Sequence, residues 1–137
     1  MNRIAAIALF AGTILITAGS AAAQSKVVEV VVPFNFTVNN TLLPAGNYTV
    51  GFDLLYSDVL VIRDGANNIT AKGLGQHASI GEGKPRTLIF HHYGSQYFLS
   101  GARFDSDSSG IFLPATKSEQ RARRLNRNEE LAFISAH

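Results

Sequence analysis

The chain has 137 residues, a formal net charge of +2 at pH 7 and no cysteine. That length suits one domain, and the lack of cysteine excludes disulfides, a thiol nucleophile and a lipid-anchored cysteine. Four of the twelve basic residues cluster near the C-terminus without interleaved aromatic residues, at Arg121, Arg123, Arg124 and Arg127. A solvated helix face is therefore favoured there over a nucleic-acid interface.

Residues 1–23 have the pattern of a secretory signal peptide. Arg3 precedes an apolar run over residues 4–16, and the alanines at 21–23 supply a small-residue cleavage site. A membrane anchor is the alternative, but the apolar run is short for a span. The sequence therefore predicts cleavage at the end of this segment, export to the periplasm or the extracellular space, and one β domain over residues 24–137.

The next segment predicts one long strand over residues 28–38, because apolar residues alternate with mostly polar ones. Pro33 cannot donate to a strand ladder and marks an edge or a bulge. The LPAG sequence at 43–46 predicts a type II turn with a positive φ at Gly46. A second strand then returns with Tyr48, Val50, Phe52 and Leu54 on one face. We expect the aromatic and apolar residues of one face to form the centre of the core: Phe34, Phe36, Tyr48, Val50 and Phe52.

Two weaker strands are predicted over residues 59–63 and 69–80, separated by turn-forming residues at 64–68. Gly73 and Gly75 lie inside the second of these strands. Glycines in that position indicate a bulge or a close approach of another backbone.

A hairpin is predicted over residues 87–104, with Gly94 at the first position of a type II′ turn. Its register would pair Tyr93 with Gln96, and apolar residues would then occupy both faces. A hairpin with two apolar faces needs a second cover. We therefore predict a possible contact surface for a partner or ligand, with its aromatic rings partly exposed or lining a groove, at His91, Phe98 and Phe104.

The C-terminal part predicts one helix and one last strand. Thr116 with Glu119 forms a capping-box pattern, so a surface helix should begin near Lys117 and run to about Leu125. Its apolar contacts would come mainly from Ala122 and Leu125. Residues 129–135 predict the strand, and the side chains expected to point inward are Leu131 and Phe133.

Three motifs, VPFNFTV, LPAGNYTV and LIFHHYGSQYFLS, occur in this order along the chain. Together they resemble a family of small exported bacterial β proteins of unknown function. Its pattern is a PF-x-F-x-V strand, an LPAG-x-Y turn and an F-x-x-Y-G-x-x-Y-F-L hairpin, matched here by Pro33, Phe34, Phe36, Val38, residues 43–46, Tyr48, Phe90, Tyr93, Gly94, Tyr97, Phe98 and Leu99. The resemblance covers most of the chain after residue 23. It implies export and a small β fold, and it implies no activity or catalytic residue.

Patterns for metal binding or catalysis are incomplete. The loop at 105–110 resembles the start of a calcium loop, but Thr116 stands where the closing glutamate should be. His91 and His92 are neighbours in a strand, so they face opposite sides and cannot chelate one ion together. No G-x-S-x-G nucleophile elbow is present. We expect no metal, no cofactor and no catalytic centre.

The expected fold is mainly β, a small antiparallel β-barrel or curled sandwich of seven to eight strands with one C-terminal surface helix. The function favoured by the sequence is that of a structural or interaction protein of the cell envelope, which would contact an envelope protein and no nucleic acid. The alternative is a small β-barrel that binds a small apolar ligand. An enzyme is the least favoured class, because no group of residues suggests a reaction.

Overall fold

A computed structural model of the chain describes residues 27–105, 109–126 and 128–136. The predicted signal peptide and its cleavage site lie outside the described residues, as do Arg127 and the middle of the calcium-like loop. Within the described ranges, the structure consists of β-strands and a single nine-residue helix.

The described chain contains eleven strands and one helix. In chain order these are β1 (Val27–Val32), β2 (Phe36–Val38), β3 (Thr41–Leu43), β4 (Gly46–Phe52), β5 (Val59–Asp64), β6 (Ile69–Leu74), β7 (Gln76–Ser79), β8 (Thr87–Tyr93), β9 (Gln96–Arg103), β10 (Ser109–Phe112), α1 (Lys117–Leu125) and β11 (Glu129–Ser135). The prediction of a mainly β fold with one late helix is confirmed. The expected number of strands, seven to eight, was too low.

The strands form two sheets. The four-stranded sheet has the order β1-β4-β5-β6, and all its neighbours are antiparallel. The seven-stranded sheet follows the path β11-β8-β9-β10-β7, and the β2–β3 hairpin joins it through a parallel pairing of Thr37 with Phe98. The described strands do not close into a barrel.

The strand predicted over residues 28–38 is two strands in different sheets. β1 ends at Val32 and β2 begins at Phe36, since Pro33 between them has no N–H to continue the ladder. The predicted inward face is nevertheless correct, because Val28, Val30, Val32, Phe36 and Val38 are all buried. Alternation therefore revealed the buried side chains, and the continuity of the strand was wrong.

The tight turn of this region lies at Asn39 and Asn40. Their φ angles are +46° and +70°, and two successive positive values characterise the type I′ loop of a two-residue hairpin. Gly46 has no positive φ; it is the first residue of β4 and pairs with Val32. The turn predicted at Gly46 is therefore wrong, and asparagine, which tolerates the left-handed region, makes the turn instead.

The strand predicted over residues 69–80 also divides between the sheets. β6 ends at Leu74 and β7 begins at Gln76, on either side of Gly75. A Cβ atom on Gly75 would lie 2.6 Å from Ile111 Cγ1. The Phe112 carbonyl oxygen would lie 3.1 Å from the same Cβ atom. The predicted close approach of another backbone is therefore confirmed, and glycine is needed at this break beside β10.

The β8–β9 hairpin has the predicted turn and register, with Tyr93 opposite Gln96 and a φ of +62° at Gly94. A bulge follows, because Phe90 pairs with Leu99 but Ile89 pairs with Gly101. Ser100 is therefore an extra residue. A bulge places two residues of one strand opposite a single residue of its partner. The side chains of β9 after Ser100 therefore point to the face opposite to the one that strict alternation predicts.

One continuous core lies between the two sheets. It includes the predicted Phe36, Tyr48 and Val50, while Phe34 and Phe52 are only partly buried against it. Its other members from the seven-stranded sheet include Leu88, Phe90, Leu99, Ala102, Phe104 and Ile111. A second, small cluster lies under the helix on the outer side of that sheet and consists of Tyr93, Phe98 and Ala122.

The inward residues predicted for the C-terminal elements are partly wrong. Ala122 is buried as expected, but Leu125 is exposed and Glu119 is buried instead. Leu131 and Phe133 are each 55% exposed, since they lie on the outer side of the sheet beside His91 and Ile89. Ala132 and Ile134 contact the core in their place. No helix among the described residues has the length and apolar content needed to cross a bilayer.

Candidate functional site

His91 lies on the outer side of the seven-stranded sheet, at the edge of the helix, and both of its ring nitrogens have partners. Nδ1 lies 2.9 Å from Glu119 Oε2 on α1, and Nε2 lies 3.1 Å from Ser100 Oγ on β9. Glu129 Oε1, on β11, lies 3.7 Å from Nε2. The imidazole therefore bridges the helix to three strands of the sheet.

Glu119 is the most buried charged group of this cluster, with 5% of its side chain exposed. The Tyr93 hydroxyl donates to its Oε2 at 3.1 Å, and Arg123 Nη2 lies 3.5 Å from the same oxygen. Arg123 also donates from Nε and Nη2 to the Tyr93 hydroxyl, at 3.2 and 3.1 Å. Burial, together with the charges of Glu119 and Glu129, raises the pKa of Tyr93.

Ser100, His91 and Glu119 are connected in the order of a nucleophile, a base and a carboxylate. Both ring nitrogens, however, have second neighbours: the Tyr93 hydroxyl lies 3.2 Å from Nδ1, and Glu129 approaches Nε2. The cluster is therefore best described as a polar network whose hydrogen bonds hold α1 against the sheet. Its two carboxylates meet opposite nitrogens of one ring, and among the described residues no group of three metal-ligating side chains could hold an ion.

The capping-box pattern predicts only a local contact of Glu119 at the start of the helix, and it does not predict the contacts of its carboxylate with the sheet. Thr116 Oγ accepts from the Glu119 N–H at 3.4 Å, as the pattern predicts. The carboxylate instead points into the sheet. A sequence signal does exist, because Glu119 precedes Arg123 by four residues and Ala122 by three, which places all three on neighbouring positions of the helix surface.

The structure brings together only two of the three residues predicted as a contact surface. His91 and Phe98 are direct neighbours across β8 and β9. Phe104 lies on the other side of the sheet, in the core and 4.8 Å from the ring of Phe52, because the bulge at Ser100 changes the face of the residues after it.

Of the two arrangements predicted for the phenylalanines, partial exposure is wrong and only a position beside a groove applies. Phe98 is 5% exposed because the helix covers it, and Phe104 is 8% exposed because the core encloses it. Each ring still borders a surface groove, Phe98 beside Ser118 and Phe104 beside His77. The chain itself supplies the second cover that the two-faced hairpin required, and whether these residues contact a partner stays a prediction.

The most exposed large apolar side chains lie elsewhere, in the loop between β4 and β5. Leu54, Leu55 and Tyr56 are 98%, 82% and 65% exposed. The predicted inward position of Leu54 is wrong, because β4 ends at Phe52. They follow one another in sequence and form a projection that we call the apolar tip. Single exposed apolar residues are common on protein surfaces, but three together are typical of an interaction site.

Asp53 holds the apolar tip in one conformation. Its Oδ1 accepts from the N–H groups of Leu55 and Tyr56 at 2.9 and 3.3 Å, in the manner of an Asx turn. Lys72 Nζ lies 3.2 Å from Oδ2. The Leu55 N–H, with Lys72 next in importance, lowers the pKa of Asp53 below its ordinary value of 3.8. The loop is thus built around an ionised carboxylate.

An open groove with a volume of about 630 Å³ lies beside the tip, on the outer side of the four-stranded sheet. We call it the apolar groove. Its apolar side chains are those of Val27, Leu54, Leu55, Val61 and Ile69, and Phe52, whose ring packs against Phe104 in the core, borders it. Gly51, which has no side chain, forms part of its surface, and Asp53 and Arg63 contribute the charged groups. The tip and the groove therefore form one continuous apolar surface.

Comparison of the chain with protein-family models, with curated proteins and with solved structures finds no match. The resemblance to a family of small exported bacterial proteins therefore still depends on the three sequence motifs. The features of the described residues that bear on function are the apolar tip, the apolar groove and the polar cluster around His91.

Proposed function

We propose that this chain is an exported β protein, a curled sandwich of two sheets, that works by contact as a structural or interaction protein of the cell envelope. The observation that carries the proposal is the apolar tip: three successive large apolar side chains exposed on a turn that Asp53 holds in place. The signal-peptide pattern of residues 1–23 supports the export.

The energetics favour an interface at this tip. Burial of a leucine side chain stabilises a fold or a complex by about 1.5–3 kcal/mol. The two leucines and the tyrosine of the tip are exposed and contribute none of this to the protein's own core. Because Asp53 already fixes the loop, ordering the loop would cost little of the free energy of binding. Tyrosine and leucine on a rigid projection are well suited to anchor a contact.

The two other classes receive less support. A barrel with an apolar ligand inside would need an internal cavity, but the side chains of both sheets pack into one core between them. An enzyme would need polar groups free to meet a substrate, and the polar groups around His91 already bind one another.

Site-specific photo-crosslinking in cells that export the protein tests the proposal. A photoreactive residue replaces Leu55, and the matched control carries it at Leu125, a leucine that is also exposed but stands alone on the helix. We expect discrete cross-linked adducts from position 55 and few from position 125. Equal adduct formation at the two positions, or none at position 55, would remove the contact function from the tip.

A further inference from the structure

We propose that a different groove, on the outer side of the seven-stranded sheet, binds a neutral saccharide. It has a volume of about 590 Å³, a size typical of ligand sites, and it lies between the β2–β3 hairpin, the β8–β9 turn and the start of α1. We call it the amide groove, because its lining includes the side-chain amides of Asn35, Asn40 and Gln96. The inference goes beyond the contact function proposed above and does not depend on the apolar tip.

The base of the amide groove is a row of three side chains that lie in register across the sheet. Leu42 on β3 pairs with Thr37 on β2, and Thr37 pairs with Phe98 on β9. Leu42 is 70% exposed, whereas the helix covers most of Phe98. The base therefore offers an apolar side chain next to a hydroxyl group. A sugar ring has the same combination, with C–H groups on its faces and hydroxyl groups around its edge.

Two of the three amides are oriented by hydrogen bonds that use only their oxygen atoms. Asn35 Oδ1 accepts from the Ala45 N–H at 2.9 Å, and Asn40 Oδ1 accepts from the Ser118 hydroxyl at 3.1 Å. Among the described residues, neither NH₂ group has an acceptor, and the side chain of Gln96 has no hydrogen-bond partner. The groove thus holds donors that are free for a ligand. Because two of them are already fixed, binding loses less side-chain freedom.

The lack of charge in the lining indicates the class of ligand. Of the described residues that line the amide groove, none is a lysine, arginine, histidine, aspartate or glutamate. An anionic ligand is usually held by a cationic side chain, and a purely apolar ligand would desolvate the amides without pairing them. A neutral saccharide has hydroxyl groups that pair with the amides and C–H groups that contact Leu42.

The position of the groove on a sheet face disfavours an extended peptide as the ligand. A peptide that adds to a sheet as a strand needs a free strand edge. In the base of the amide groove, Phe98 is already paired with Thr37 on one side and with His91 on the other. The polar groups that remain for a ligand are therefore side chains, and these suit the hydroxyl groups of a sugar.

NMR titration of the isotope-labelled exported protein, purified from the exporting cells, tests the site with two neutral probes, chitotriose and maltotriose. We expect saturable shifts of the side-chain NH₂ signals of Asn35, Asn40 and Gln96 with at least one probe. A response to chitotriose alone indicates an N-acetylated glycan as the source of the saccharide, and a response to maltotriose alone indicates a glucan. If neither probe shifts these signals at millimolar concentrations, the proposal is overturned.

Two groove variants and a matched control complete the test. Gln96→Ala should weaken binding of the responding probe about two- to tenfold, the range expected for one lost hydrogen bond. Asn35→Asp keeps the acceptor for the Ala45 N–H but loses the NH₂ donor, so it should also weaken binding. Gln76→Ala is the control, because Gln76 begins β7 as Gln96 begins β9 and both are exposed; it should leave the affinity unchanged.

The variants also decide whether a shift of the NMR signals reports this groove. Full affinity in both groove variants, or the same loss from Gln96→Ala and Gln76→Ala, would show that the saccharide binds elsewhere and would overturn the assignment. Circular dichroism of each variant checks that the fold is retained. Since no part of this test involves the apolar tip, its failure leaves the contact function to the cross-linking experiment.

Discussion

Glu119 demonstrates how far a single residue can be understood from its sequence neighbours. The pattern of Thr116 and Glu119 predicted the start of the helix at Lys117, because a capping box depends on four consecutive residues. The partner of the carboxylate is His91, 28 residues away. Only the packing of the helix on the sheet brings the two together, so no local pattern contains this contact.

Glu119→Ala should lower the stability of the fold. The substitution leaves His91, Tyr93 and Arg123 without a shared acceptor, and hydrogen bonds to charged groups contribute about 1.5–3 kcal/mol. Arg121→Ala, on the exposed side of the same helix, is the matched control and should change stability by no more than about 0.5 kcal/mol. Urea unfolding of the two variants measures the difference, and equal losses would show that the cluster does not fasten the helix.

Asp53 gives the apolar tip a defined response to acid. Its folded pKa lies below 3.8, so its carboxylate stabilises the fold above the unfolded pKa, and that contribution is lost as the pH falls through the folded pKa. The amide signals of Leu55 and Tyr56, followed by NMR, should therefore shift with a midpoint below 3.8. Asp53→Asn should abolish the transition. A midpoint at or above the ordinary value would mean that the carboxylate does not hold the turn.

At the scale of the elements, the positions of strands were more predictable than their continuity and their facing. The bounds of β8, α1 and β11 agree with prediction, because alternation and caps are local signals. The breaks at Pro33 and Gly75 and the bulge at Ser100 depend on which sheet a strand joins. The bulge alone moved Phe104 from the predicted contact surface into the core, since each added residue reverses the facing of those after it.

Gly75→Ala should destabilise the protein by about 1–3 kcal/mol through overpacking, because the new Cβ would meet Ile111 at 2.6 Å. Gly46→Ala is the control. Its nearest neighbour would be Tyr48 Cε2 at 3.8 Å, an ordinary contact, and its φ is not positive. Thermal unfolding compares the two. A larger loss at Gly46 would indicate that the LPAG sequence needs its glycine after all.

For the whole molecule, composition and alternation predicted a mainly β protein with one core, and they left a single curved sheet and two packed sheets as alternatives. The same limit applied to function. The apolar tip has no periodic signal, since three successive apolar residues look the same in a buried strand and in an exposed turn. That the turn held by Asp53 leaves Leu54, Leu55 and Tyr56 in solvent follows only from the fold.

Phe36→Ala should cost about 3–5 kcal/mol, most of the stability of a small domain. The ring is buried between the sheets and contacts those of Tyr48 and Phe90, at centroid distances of 5.1 and 5.3 Å. Phe133→Ala, on the outer side of β11, should cost no more than about 1 kcal/mol. Chemical denaturation of both variants locates the core, which would have to be placed elsewhere if the two losses were equal.

The switches of the chain at Pro33 and Gly75 affect how the protein can be made. Successive segments belong to alternate sheets: β1 to the first, β2–β3 to the second, β4–β6 to the first and β7–β11 to the second. When the chain emerges N-terminus first, the four-stranded sheet can be complete at Leu74, before β8 and β9 exist to cover its inner face. Its valine side chains and aromatic rings must then remain exposed to solvent or be covered by a chaperone. That interval, rather than the finished molecule, is where aggregation during folding should concentrate.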